Sequence, residues 1–133
     1  MLRLKIRVEF AGGHVLGPGK IHLLELIARE GSIRGAAIAM GMSYRRAWLL
    51  LHELEAMMGR SVIAPETGGV KGGGSTLTEL GHDIILCYRA IEKHAARASG
   101  AELRRLTRMA GRPASTKTPS RRRRQSRRKS RPA

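Results

Sequence analysis

Ser43-Tyr44-Arg45-Arg46 sets two hydroxyl side chains and two guanidinium groups side by side, just past Gly41-Met42. No carboxylate or imidazole stands among them, so the chemistry they offer is recognition rather than bond making. Guanidinium forks pair with phosphate oxygens and with the outer edge of guanine, and hydroxyls donate to phosphates. If these residues begin a helix, its free N–H groups and positive dipole end draw the same anions.

A second stretch, Thr67 to Gly74 (TGGVKGGG), flanks Lys71 with glycines. Backbone without Cβ atoms can approach a surface closely, which suits a sugar-phosphate chain; the plainer reading is a flexible hairpin. Gly17-Pro18-Gly19-Lys20-Ile21 ends in Gly-Lys like a phosphate loop. It lacks the hydroxyl residue after the lysine, and His14 stands where the first glycine belongs, so nucleotide binding is not expected. The histidines His14, His22, His52, His82 and His94 show no metal-type spacing with cysteine or acids. His52 falls on the same helix as the arginines and is expected to face solvent. No Ser-His-Asp set or carboxylate pair can be singled out, so neither an enzyme nor a cofactor is expected.

These residues need elements to hold them. Leu4, Ile6, Val8 and Phe10 alternate with Arg3, Lys5, Arg7 and Glu9, the period-2 pattern of a half-buried strand. Ala11 to Gly19 reads as turn. Pro18 suits a first helical turn, with Ile21, Leu24, Ile27 and Ala28 as an apolar stripe and Gly31 as a left-handed cap. Ser32 can cap a second helix, in which Ile33, Ala36, Ala37 and Met40 share one face. Gly41 suits the tight turn before a third helix over 43–58, capped by Ser43. Ala47, Leu51, Leu54 and Met58 line its inner face and Trp48 flanks that face. Ser61 to Glu66 and Ser75-Thr76-Leu77 read as a hairpin around the glycine loop. Thr78 then caps a last helix whose Ile84, Tyr88, Ile91, Ala95 and Ala98 recur at heptad spacing, which points to a partner helix. Cys87, beside that face, is expected to be a small buried apolar residue.

A short helix, a glycine turn and a longer helix with a cationic head are the layout of a helix-turn-helix DNA reader; a hairpin behind them is a wing. The expected fold is α+β, mostly α: a winged helix-turn-helix with an N-terminal strand, a β-hairpin wing and a long C-terminal dimerisation helix. Residues 1–99 form the DNA-binding domain in this reading and residues 100–133 a basic tail. The net charge is +16 over 133 residues, and residues 99–133 hold thirteen Lys and Arg against Glu102 alone. That tail, ending RRRRQSRRKSRPA, is a generic cation with no large apolar residue after Gly111, and is expected to be largely disordered. Gly111-Arg112-Pro113 has the centre of a minor-groove hook, with Ala110 in place of a flanking arginine. The single cysteine allows no internal disulfide, and no apolar run resembles a signal peptide or membrane span, so a cytoplasmic, nucleoid-associated location is expected.

Lys20 to about Ala98 resembles the N-terminal domain of the molybdate-responsive regulators of the ModE type, themselves similar to LysR-type winged helices. The residues that carry it are Gly31-Ser32-Ile33, Gly41-Met42-Ser43-Tyr44, Ala47-Trp48, Thr67-Gly68-Gly69, Lys71-Gly72-Gly73-Gly74 and Leu77-Thr78. The resemblance implies a dimer built through the first strand or the last helix, with DNA read by the third helix and the wing. It places Ser43, Tyr44, Arg45, Arg46, Thr67 and Lys71 on DNA; Ser32 and Arg34, at the head of the second helix, are counted with them. Ile84, Tyr88, Ile91 and Ala95 are the dimerisation candidates. In that family oxyanion-binding modules follow the winged helix; here the arginine-rich tail stands after it, so a molybdate-sensing role within this chain is not expected, and no small-molecule effector site is evident in it. The expected function is sequence-specific binding of double-stranded DNA by a homodimeric transcription regulator. The rival readings are a non-specific architectural DNA-binding protein and an RNA binder led by the tail.

Overall fold

The computed structural model describes residues 2–66 and 74–111. By internal packing the described residues divide into residues 3–99 and a second unit of residue 2 with 100–111. In the first unit a small hairpin, β1 (Val8–Glu9) and β2 (Val15–Leu16), leads into α1 (Pro18–Glu30), α2 (Ile33–Met40) and α3 (Tyr44–Met58). A second hairpin, β3 (Ile63–Glu66) and β4 (Gly74–Leu77), precedes the long α4 (Glu79–Ala98). In the second unit, α5 (Gly100–Ala110) is an amphipathic helix with no fully buried side chain.

α1 is the central element. Pro18 stands in its first turn, and Gly31 ends it in the left-handed region (φ 77°). Ile21, Leu23, Leu24, Leu26 and Ile27 are all buried, because α1 touches α2, α3, α4 and β4 at once. The expected single stripe therefore widens to include Leu23 and Leu26, while Ala28 turns out to be exposed. Small residues fix the α2–α3 crossing: Ala36, Ala37 and Ala47 are buried, which lets the helix backbones come close. Gly41 (φ 69°) makes the turn, and the Met42 N–H returns to the Ala37 carbonyl at 3.0 Å, a left-handed cap closing α2.

The N-terminal strand is shorter than its alternating pattern suggested. Only Val8 and Glu9 find partners, Leu16 and Val15, in what had read as turn material. Ile6, Val8 and Phe10 pack against the core regardless, so the alternation reports a buried face without a ladder. The segment is pinned at Ile6, whose carbonyl accepts the fully buried Tyr88 hydroxyl at 2.5 Å. Burial raises the pKa of that phenol.

Behind α3, the Glu55 carboxylate accepts the Val62 N–H at 2.9 Å and sets the entry to β3. β3 and β4 pair antiparallel from Ile63 opposite Leu77 to Glu66 opposite Gly74. The Ser75 N–H donates to the Gly31 carbonyl at 2.8 Å, which ties the base of this hairpin to the end of α1. Thr78 caps α4 by accepting the Gly81 N–H, and its hydroxyl donates to the Ser61 carbonyl. Arg89 on α4 spans Glu25 on α1 and Glu92, each at 2.6 Å. Its hydrogen bonds hold the Glu25 carboxyl below its ordinary pKa, and these two acids hold the Arg89 pKa above the usual guanidinium value.

Candidate nucleic-acid interface

Ser32 and Ser43 do the same work at the heads of α2 and α3. Ser32 Oγ accepts the Gly35 N–H at 2.9 Å, and Ser43 Oγ accepts the Arg46 N–H at 3.1 Å. Each hydroxyl oxygen satisfies one free donor of its helix and fixes the angle at which the chain enters. Both serines keep a hydroxyl proton with which to donate outward.

The cap brings the expected side chains together. Arg34, at the head of α2, lies 5.6 Å from the centroid of the Tyr44 ring at the head of α3, close enough for a cation–π contact. Arg34, Ser43, Tyr44, Arg45 and Arg46 are all exposed. Among the described residues none of these arginines is engaged by a carboxylate. The α2–α3 corner therefore presents three uncompensated guanidinium groups and two hydroxyls on one edge. Thr67 and Lys71 lie outside the described residues.

The outward face of α3 continues past its head. Arg45, Trp48, Leu49 and His52 recur at i, i+3, i+4 and i+7, so they form one stripe. Trp48 and Leu49 are 41% and 50% exposed, and the Trp48 and His52 rings are in tilted contact, 47° between planes and 3.8 Å between centroids. Trp48, expected to flank the inner face, is exposed on this stripe together with Leu49. The helical spacing from Arg45 reaches both residues. Exposed apolar groups beside an arginine can meet thymine methyls in the major groove.

Two of the dimerisation candidates are committed elsewhere. Ile84 and Tyr88 are 7% and 0% exposed within the protomer's own core, because α4 packs on α1 and on the N-terminal segment. Ile91 is exposed and Ala95 half-buried. Cys87, expected inside, is exposed. Beside α4 runs an open apolar groove of about 290 Å³ lined by Phe10, Leu16, Met58, Leu80, Cys87 and Ile91 among others. Lys20, the end of the Gly-Lys sequence, is only 11% exposed: its ammonium donates to the Val15 carbonyl at 2.6 Å and pairs with Glu53 at 3.3 Å. A lysine held in this way is not offered to a nucleotide.

Helix, glycine turn, capped cationic helix and hairpin in this order define a winged helix-turn-helix domain. Residues 19–82 match the family described as bacterial regulatory helix-turn-helix protein, lysR family, so the chain carries a LysR-type helix-turn-helix domain. That family is one of regulators, not of enzymes. The match is consistent with an N-terminal domain of the ModE type. The chain is 39% identical over 80 residues to the molybdenum transport protein ModE of Azotobacter vinelandii, covering 60% of this chain and 30% of that one. It is 34% identical over 95 residues to the molybdenum-pterin-binding protein MopA of Rhodobacter capsulatus, covering 71% and 36%. The chain thus spans about a third of the length of these relatives. The CbnR DNA-binding domain, solved as a complex with DNA, superposes with a TM-score of 0.50 at 22% identity over 71% of this chain and 97% of that one, a likeness of fold.

Proposed function

We propose that this chain binds double-stranded DNA with sequence preference, as a homodimer, and acts as a transcription regulator. The observation that carries the reading is the α2–α3 corner, where Arg34, Arg45 and Arg46 stand exposed and unpaired around a capped helix head. A helix about 10–12 Å wide enters the major groove, and this head would enter first. Arg45, Trp48 and Leu49 would then face base edges, while Ser32, Arg34, Ser43, Tyr44 and Arg46 would hold phosphates. Thr67 and Lys71, in the hairpin loop, would follow the backbone.

Pairing of two copies would set the recognition helices about one duplex turn, roughly 34–36 Å, apart on a near-palindromic site. With Ile84 and Tyr88 enclosed, the pairing face that remains is Cys87, Ile91 and Ala95 with the apolar groove beside them. The second copy of this chain is the occupant this reading assigns to it. Residues 99–133, at +12, would add affinity through counterion release and make binding steeply salt-dependent.

The test is selection of preferred sites from a random duplex pool, run on the full chain and on a chain ending at residue 110. An enriched near-palindromic site shared by both chains supports the reading. No enrichment with retained duplex affinity makes the protein a non-specific architectural binder. Tighter binding to structured RNA than to duplex DNA at equal salt points to the tail as an RNA-binding element.

A further inference from the structure

The N-terminal segment carries cations that the reading helices do not account for. Arg3, Lys5 and Arg7 alternate with Leu4 and Ile6 and are all exposed. The segment cannot drift from the domain, because Tyr88 holds the Ile6 carbonyl and Ile6, Val8 and Phe10 pack on the core. The Arg7 stem lies against Gly17, its Cγ 3.7 Å from where a Cβ would stand there.

Arg7 shares an open cleft of about 420 Å³ with Arg46, at the head of α3; Gly17, Gly19, Met40 and Glu53 also line it. A neighbouring cleft of about 400 Å³ is lined by Arg3, Lys5, His22, Arg89 and Glu92 and shares Gly19 and Met40 with the first. The two therefore adjoin, and together they lead from Arg46 past Arg7 to Lys5 and Arg3. Each acid along this route already has a cation: Glu53 pairs with Lys20 and Glu92 with Arg89. Among the described residues no ion pair engages Arg3, Lys5, Arg7 or Arg46. What remains is a run of four uncompensated cations starting at the proposed reading head.

We infer that Arg3, Lys5 and Arg7 form a second backbone-binding track, which holds the phosphates flanking the groove that α3 enters. This rests on the duplex-binding reading above and adds to it a contact made by neither α3, the wing nor the tail. The track carries charge and no base-reading geometry of its own, so its contribution is to affinity and footprint, not to sequence preference. Arg46, common to the cleft and to the head of α3, would join the two surfaces.

The experiment measures duplex affinity against salt for the full chain, on a selected site and on random duplex, alongside phosphate-ethylation interference. Removing one cation that neutralises a phosphate lowers the slope of log affinity against log salt by about 0.9. Arg7→Ala is expected to lower it by about one such step, and the triple change R3A/K5A/R7A by roughly three steps. Both duplexes should lose affinity alike, and interference should be lost at a subset of phosphates flanking the α3 site while it persists at the others. Arg7→Lys, which keeps the charge, should keep the slope. An unchanged slope and interference pattern in the triple variant, with wild-type selectivity intact, overturns the track and leaves the DNA-binding reading standing. Loss of dimer mass in the triple variant at unchanged slope also overturns it, since the segment then serves subunit pairing. A wild-type chain without affinity for duplex removes the parent reading instead.

Discussion

Replacing Gly81 with alanine sets two physical effects against each other, and the structure decides the sign. Gly81 lies in the first turn of α4 and is buried. On propensity alone, alanine in a helix is favoured over glycine by about 1 kcal/mol. But a Cβ here would stand 2.5 Å from the Val62 carbonyl oxygen and 3.3 Å from Leu77 Cβ. The obstacle is backbone, and it cannot swing away as a side-chain tip could. That carbonyl accepts the Thr78 N–H at 2.9 Å, so pushing it aside also loosens the joint between β3 and α4. Overpacking costs about 1–3 kcal/mol and a weakened hydrogen bond about 1 kcal/mol. Together they exceed the propensity gain, for a net loss of about 1–3 kcal/mol. In a domain of this size that lowers Tm by about 4–8 °C per kcal/mol. Thermal unfolding of Gly81→Ala measures it, with Gly19→Ala as the control. Gly19 is an α1 position where an added Cβ meets nothing within 4 Å, and the change should be neutral to mildly stabilising. A Gly81→Ala protein as stable as wild type, or more so, would refute the close crossing of α4 over Val62. Because α3 is untouched, base discrimination by the surviving fold should persist.

Arg45→Ala should cost about 1–3 kcal/mol on a selected site and little on random duplex, measured by competition titration; equal losses on both would make Arg45 a phosphate contact. Ile91→Asp should shift the chain to monomer at micromolar concentration in sedimentation, since the charge would fall beside the apolar α4 groove; a variant that stays dimeric sinks the α4 pairing. The pH dependence of stability follows from Glu25. Its pKa is lowered from 4.5 by the Arg89 hydrogen bonds, so the folded state binds its proton less readily than the unfolded chain. The stabilisation is therefore complete above the ordinary value and fades as pH falls through the lowered one. Glu25→Gln should flatten the acid limb of urea midpoints plotted against pH, and an unchanged limb would assign acid sensitivity to other carboxylates.

Local signals placed the elements well wherever chain chemistry acts over a few residues. Gly31 and Gly41 end helices at φ 77° and 69° because those caps need a left-handed residue, and Ser32, Ser43 and Thr78 cap because each precedes a helix with free N–H groups. The α2–α3 corner was legible for the same reason: capping residue, cations and turn glycine are neighbours in sequence. What a one-dimensional pattern could not assign is which partner takes up an apolar face. The 4, 3, 4, 3 spacing along α4 is genuine, yet Ile84 and Tyr88 spend it on α1 and the N-terminal segment, and Ile91 is left exposed. The alternation of Leu4 to Phe10 reports the half-buried Ile6, Val8 and Phe10 correctly but not Leu4, which is exposed, nor the hydrogen bonding, since a ladder requires a partner strand that only Val8 and Glu9 have. Trp48, expected to flank the inner face of α3, is 41% exposed, and its ring lies tilted against that of His52. Where the pattern fell short, the deciding contacts join residues apart in sequence, as the Tyr88 hydroxyl on the Ile6 carbonyl does.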